Sequence, residues 1–171
     1  DQPGSERYQS LITDCREQLA EKNLINMEAF LTQAGTARLC QEIEAKMPEA
    51  FHSVSSKNPT FIETCEALND EQLLGNPGIT DRYSLARHQL LGSVLDELYQ
   101  YPPLRRFVGD VLALDEIYLH EDPSNALVVQ LYKTDGGIAW HFDRALFSTI
   151  LNLCETEQGG IFECVPGLRT A

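Results

Sequence analysis

The stretch from Ala126 to Thr170 constrains the chain most. It reads ALVVQLYKTD, GG, IAWHFDR, ALFSTILNLC, ETEQGG, IFECVPGLRT. Three or four apolar β-runs are set apart by glycine-pair turns, the pattern of an antiparallel sheet. His141-Phe142-Asp143 closes the second run. Alternation along a strand sends residues i and i+2 to one face, so His141 and Asp143 look the same way and Phe142 looks the other. An imidazole and a carboxylate on one face are two of the three ligands of a 2-His-1-carboxylate iron site.

What precedes that stretch reads as helical. Residues 6–22 place Tyr8, Leu11, Ile12, Cys15 and Leu19 on one helical stripe. Leu24–Met27 and Ala29–Leu31 are short apolar runs that read as an edge strand and turn. Thr32 is an N-cap for a second helix over 33–48, with Ala37, Leu39, Cys40, Ile43, Ala45 and Met47 as its stripe. Residues 52–82 carry Ser-Ser, Asn-Pro and Gly-Asn-Pro-Gly and read as a long loop, with short helical pieces at Phe61–Ala67 and Asp70–Leu74. A loop of that length is either a lid over a ligand or a surface excursion. Residues 84–99 have a mixed helical pattern broken at Gly92-Ser93, with Ser93 capping VLDELY. Pro102 and Pro103 open a further helix, Ile117-Tyr118-Leu119 is a short strand, and HEDPSN is a turn.

The expected architecture is one α+β domain over 1–171. Its 1–115 part is mainly helical, with the loop at 52–82. Its 116–171 part supplies the first strands of a jelly roll, or double-stranded β-helix. The 26 acidic residues outnumber the 13 basic ones, giving a net charge of −13. That balance excludes a counterion-displacing nucleic-acid binder and a polybasic membrane-surface protein. No apolar run approaches the ~18 residues of a membrane span. Five cysteines, Cys15, Cys40, Cys65, Cys154 and Cys164, show no CxxC spacing. An odd, scattered set predicts free thiols in a reducing, cytoplasmic setting, with Cys154 and Cys164 as small core residues. The N-terminus has no signal-peptide pattern and no initiator Met, so the chain is expected to begin inside a longer protein.

An HxD motif alone is weak, because chance supplies on the order of half a copy in a chain of this composition. A second copy, His120-Glu121-Asp122, precedes Pro123 in a turn and reads as a solvated loop. The copy at 141–143 has strand context. On pattern alone, two readings stay open there: a pair of metal ligands, or a structural histidine with a strand-end ion pair.

From about Tyr99 onward the chain resembles a family of Fe(II)/2-oxoglutarate oxygenases that includes the radical amino-acid halogenases and related hydroxylases. The residues that carry the resemblance are YPPLRRFVGDVLAL, DPSNALVVQLY, GGIAWHFDR and EQGGIFECVPGLRT. The first helices resemble the family's opening more loosely. The resemblance implies a jelly-roll core, Fe(II) held by His141 and Asp143, 2-oxoglutarate as co-substrate, O2 as oxidant, and a small-molecule substrate such as an amino acid. Halogenases carry glycine where this chain has Asp143, leaving a position for chloride; the carboxylate therefore implies hydroxylation or another O2-dependent oxidation, and not halogenation. The family's distal histidine and its 2-oxoglutarate arginine have no counterpart here. Only 28 residues (171 − 143) follow Asp143 and none is histidine, while Arg169 comes too early. His52, His88 and His120 lie upstream, where the family places no ligand. A chain cut short of its closing strands is the expectation; a site completed by an upstream histidine such as His120 is a weaker one.

Tyr132, with Gln130 on the same strand face, and Asn152 are candidates for 2-oxoglutarate binding. For Tyr132 and Gln130 the competing reading is packing and solvation, and for Asn152 a satisfied polar core residue. Trp140 is expected in the core. Arg144 either pairs with an acid near the site or sits on the surface, Arg105 and Arg106 are expected to be surface charges, and Glu163 is left undecided. The leading expectation is an Fe(II)/2-oxoglutarate-dependent hydroxylase. The alternative is a non-catalytic jelly-roll relative acting as a binding or regulatory module.

Overall fold

The computed structural model describes residues 2–57, 78–143, 145–154 and 159–166. Its architecture is α+β: five α-helices and a three-stranded antiparallel sheet. The helices start where local chemistry says they should. Ser5 caps α1 (Glu6–Lys22), its hydroxyl accepting from the Tyr8 amide. Thr32 does the same for α2 (Gln33–Lys46) through Gly35, and Ser93 for α3 (Val94–Gln100) through Asp96. Each side-chain oxygen satisfies an amide that has no partner within the helix. Pro102 opens α4 (Pro102–Leu112), and Asp122 caps the single turn α5 (Pro123–Ala126).

Three strands make the sheet, in the order β1 (Phe51–Lys57), β2 (Gly78–Ala86), β3 (Val128–Leu131). Two of them lie in the part expected to be helix and loop. The 52–82 loop reading is therefore corrected at both ends, and so is the start of the 84–99 helix. HSVSSK in β1 is polar at most positions, and such a stretch becomes a strand through its ladder to β2 rather than through hydrophobic alternation. The helical pieces expected at Phe61–Ala67 and Asp70–Leu74 lie outside the described residues.

The β-rich stretch also differs from expectation. Within it only Val128–Leu131 forms a regular strand among the described residues. The expected strands at Leu24–Met27 and Ile117–Leu119 are irregular backbone. After β3 the chain leaves the ladder, turns at Thr134-Asp135, and rejoins β2 at one bridge, Asp81 to Gly137. The described residues beyond Gly137 belong to no ladder. The α+β class holds, and the sheet seen is open and three-stranded.

The register sorts the sheet into two faces. Leu85 and Val129 look one way, into a core completed by Leu39 and Ile43 of α2 and by Leu90 and Leu95. Leu85 is fully buried, which stabilises by roughly 1.5–3 kcal/mol relative to exposure. Thr80, Arg82, Ser84, Ser53 and Gln130 look the other way. Where β2 ends, the buried carboxylate of Asp96 accepts from Arg87 Nε at 2.8 Å and from Gln100 Nε2 at 2.9 Å. That pair fastens the strand end to α3. No helix among the described residues is long and apolar enough to cross a membrane.

A second core joins α1 to α4 through Tyr8, Ile12, Cys15 and Val111. Arg16 donates to the Asp110 and Val111 carbonyls at the end of α4, where acceptors are otherwise orphaned. The Tyr8 hydroxyl donates to Asp110 Oδ2 at 2.5 Å. Burial, and then this hydrogen bond, push the phenol from 10.0 up to about 12. A raised folded-state pKa means that the native state holds the proton longer than the unfolded chain does. The Tyr8 contribution is thus intact below about pH 10 and is lost as pH climbs through 12. In urea unfolding across that range, wild type should lose stability more steeply than Tyr8→Phe. Parallel curves would contradict the assignment.

Candidate functional site

The HxD segment is laid on the sheet by backbone contacts to β2. Asp81 and Gly137 exchange two hydrogen bonds, at 2.9 and 3.0 Å. Two residues on, the Ala139 amide donates to the buried hydroxyl of Thr80 at 3.0 Å. Gly78 lies beneath Ala139, and a Cβ built there would come within 2.6 Å of the Ala139 Cβ. The glycine is needed for close approach, and its absence of side chain sets where the segment begins.

His141 follows. Its Nδ1 lies 2.8 Å from the Ala139 carbonyl. A carbonyl only accepts, so Nδ1 carries the proton and donates it. In the neutral ring Nε2 then presents a lone pair. That nitrogen faces Asp143 Oδ1 at 3.2 Å. Two acceptors so close repel each other unless a cation lies between them. A proton, giving an imidazolium–carboxylate pair, would relieve that repulsion, and so would a metal ion. Two ligands about 2.1 Å from a metal and at right angles stand about 3.0 Å apart, close to the observed separation. Ser148 Oγ donates to the other carboxylate oxygen at 2.5 Å and orients it. A histidine whose far nitrogen is held by a carbonyl, beside a hydrogen-bonded carboxylate, has the supporting contacts of a metal site. Both side chains are part-exposed, at 33% and 53%, so a ligand has access.

Among the described residues, no group of three His, Cys, Asp or Glu side chains forms a metal-holding cluster. The upstream-histidine expectation is corrected on that ground. His120 Nδ1 accepts from the Asp122 amide at 3.1 Å and belongs to its turn. Its neighbour Asp122 sits below the usual carboxylate range, chiefly because the Ser124 amide donates to it. His52 pairs with Asp81 at 2.7 Å and stacks on Tyr83. His88 lines the cleft described next.

That cleft, about 470 Å³, lies on the polar face of the sheet, between Ser53, Arg82, Ser84, His88 and Gln130. Arg82 stands at the middle of the central strand, one same-face step beyond Thr80, about 7 Å along the strand. Its Nε is buried with no hydrogen-bond partner. Leaving a buried donor unsatisfied costs about 1–3 kcal/mol, and more when it is charged. Arg82 had no place in the sequence reading. The signal was the polar alternation Thr80, Arg82, Ser84, which shows only once β2 is recognised as a strand.

The other expected residues divide. Tyr132 and Gln130 are neighbours: the Tyr132 hydroxyl donates to Gln130 Oε1. Burial raises the Tyr132 phenol, partly opposed by the charge of Arg82 nearby. Asn152 is exposed while Leu151 and Leu153 pack on the core, so its polar-core reading is corrected. Trp140 is 42% exposed, because Ala139 takes the inward position, and its core placement is corrected too. Cys154 and Cys164 are exposed thiols rather than core residues. Glu163 is exposed, and Arg105 and Arg106 line a shallow depression on α4. Arg144, Arg169 and Cys65 lie outside the described residues. No family model, curated protein or solved structure matches the chain.

Gly78→Ala should push Ala139 off the sheet and cost about 1–3 kcal/mol, as overpacking does. Urea unfolding reads this as a lower midpoint. An unchanged midpoint would mean that the close approach does not hold the segment.

Proposed function

We propose that the chain is an Fe(II)/2-oxoglutarate-dependent oxygenase that hydroxylates a small molecule such as an amino acid. The observation that carries the reading is the His141 Nε2–Asp143 Oδ1 pair at 3.2 Å, with Nδ1 tied to the Ala139 carbonyl. The donor set suits Fe(II): one imidazole nitrogen and one carboxylate oxygen leave positions open for small ligands. When bound, the iron with 2-oxoglutarate and O2 would supply the oxidising chemistry. The chain's own residues do the positioning. Ala139 fixes the imidazole tautomer, Ser148 orients Asp143, and Arg82, which lines the polar cleft, would give its guanidinium to a carboxylate of co-substrate or substrate. The open sheet β1-β2-β3 is, in this reading, part of a jelly roll, with its polar face as the interior. Asp143 in place of glycine favours hydroxylation over halogenation.

A second reading has one specific observation in its favour. The described residues supply two ligands and no third. That count suits a non-catalytic jelly-roll relative that binds a small anion in the Arg82 cleft.

Anaerobic Fe(II) titration, with and without 2-oxoglutarate, separates the two. The oxygenase reading predicts saturable Fe(II) uptake, and a visible charge-transfer band when 2-oxoglutarate is added. His141→Ala should abolish both. Arg82→Gln should keep iron uptake and weaken the 2-oxoglutarate response by roughly tenfold or more, the loss of one charge-assisted hydrogen bond. Iron uptake unchanged in His141→Ala would overturn the metal assignment. Anion binding without any iron uptake would favour the binding module.

A further inference from the structure

Cys40 sits on α2 between residues that face the main core, Leu39 at 1% exposure and Ile43 at 6%. Its sulfur lies 3.6 Å from the sulfur of Cys154 and also 3.6 Å from the Leu153 carbonyl, to which it donates. Leu151 and Leu153 pack against the same core, so both backbones beside the thiols are held by buried neighbours. A disulfide bond is about 2.05 Å long, so closing the gap takes about 1.5 Å of sulfur movement, within reach of side-chain rotation. The two residues are 114 apart in sequence, and Cys154 is the exposed member of the pair.

We propose that Cys40 and Cys154 form a reversible disulfide when the chain meets a small-molecule disulfide oxidant, and that this bond fastens α2 to the 151–154 segment. The reaction is a two-step exchange. The exposed Cys154, as thiolate, attacks one sulfur of the oxidant, forms a mixed disulfide and expels one thiolate. Cys40 then loses its proton, attacks the Cys154 sulfur and expels the second thiolate. Two cysteine thiols lose two electrons between them. The oxidant takes up those two electrons and the two protons and leaves as two thiols. Burial, followed by the hydrogen bond with Cys154, pushes the Cys40 thiol up, so the exposed Cys154 is the member that meets the oxidant first. The segment so fastened also carries, six residues before Cys154, the Ser148 hydroxyl that orients Asp143. Closing so long a loop restricts the unfolded chain, and the oxidised form should resist unfolding more than the reduced form.

The test treats the full chain with oxidised glutathione, quenches the thiols with an alkylating reagent, and maps peptides without reduction. The expected result is a Cys40–Cys154 cross-linked peptide with loss of both free thiols, and recovery of both on adding dithiothreitol. Cys40→Ser should stop at a glutathione adduct on Cys154. Both cysteines recovered as alkylated thiols in wild type, or joined to other partners, would overturn the proposal whatever the variant does.

Discussion

The main core and the candidate site depend on β2 being paired on both edges. It takes β1 from Gly78 to Ser84, β3 at its C-terminal half, and Gly137 at Asp81. Its apolar face carries Leu85 into the helical core, and its polar face carries Thr80, Arg82 and Ser84. A one-residue slip of register would exchange those faces, burying Arg82 against α2 and exposing Leu85. The register is therefore held by energies on both sides: apolar burial on one and a half-buried guanidinium on the other.

The candidate site inherits its geometry from that strand. Thr80 holds Ala139 through a buried hydroxyl, and Gly78 gives way beneath it. Ala139 then holds His141 through its carbonyl. Each step is a single short contact, so the imidazole is placed by the sheet and not by a regular strand of its own. This explains how His141 and Asp143 share a side although no ladder runs through them. The carboxylate is held in turn by Ser148, so under the proposed metal reading both donors would be oriented before a cation arrives. Such preorganisation lowers the cost of binding, because the groups are ordered already.

What could be read from sequence follows the range of the interactions. The starts of α2 and α3 were legible because the Thr32 and Ser93 hydroxyls act on amides only a few residues away, and that of α4 because proline suits a first helical turn. The HxD pair was legible because the two residues are also close in sequence. β1 and β2 were not, because stretches such as Ser53, Ser55 and Ser56 carry no apolar period and gain their structure from partners across the ladder. Missing β2 meant missing Arg82, whose place beside Ser53 and Gln130 exists only in the folded sheet. The misplacement of Trp140 has a similar cause: strict alternation assigned it a buried face, whereas the contact of Ala139 with Gly78 and Thr80 takes that place.

The central proposal is that His141 Nε2 and Asp143 hold a metal ion between them, with the proton on Nδ1 donated to the Ala139 carbonyl. Imidazole ¹⁵N NMR on the chain, with Zn(II) as a diamagnetic stand-in for Fe(II), addresses it directly. The account predicts a metal-induced shift at His141 Nε2 while Nδ1 stays protonated, and no such shift at His52, His88 or His120. A shift at Nδ1, or an unchanged His141 spectrum at saturating metal, would contradict it and leave the pair as an imidazolium–carboxylate contact.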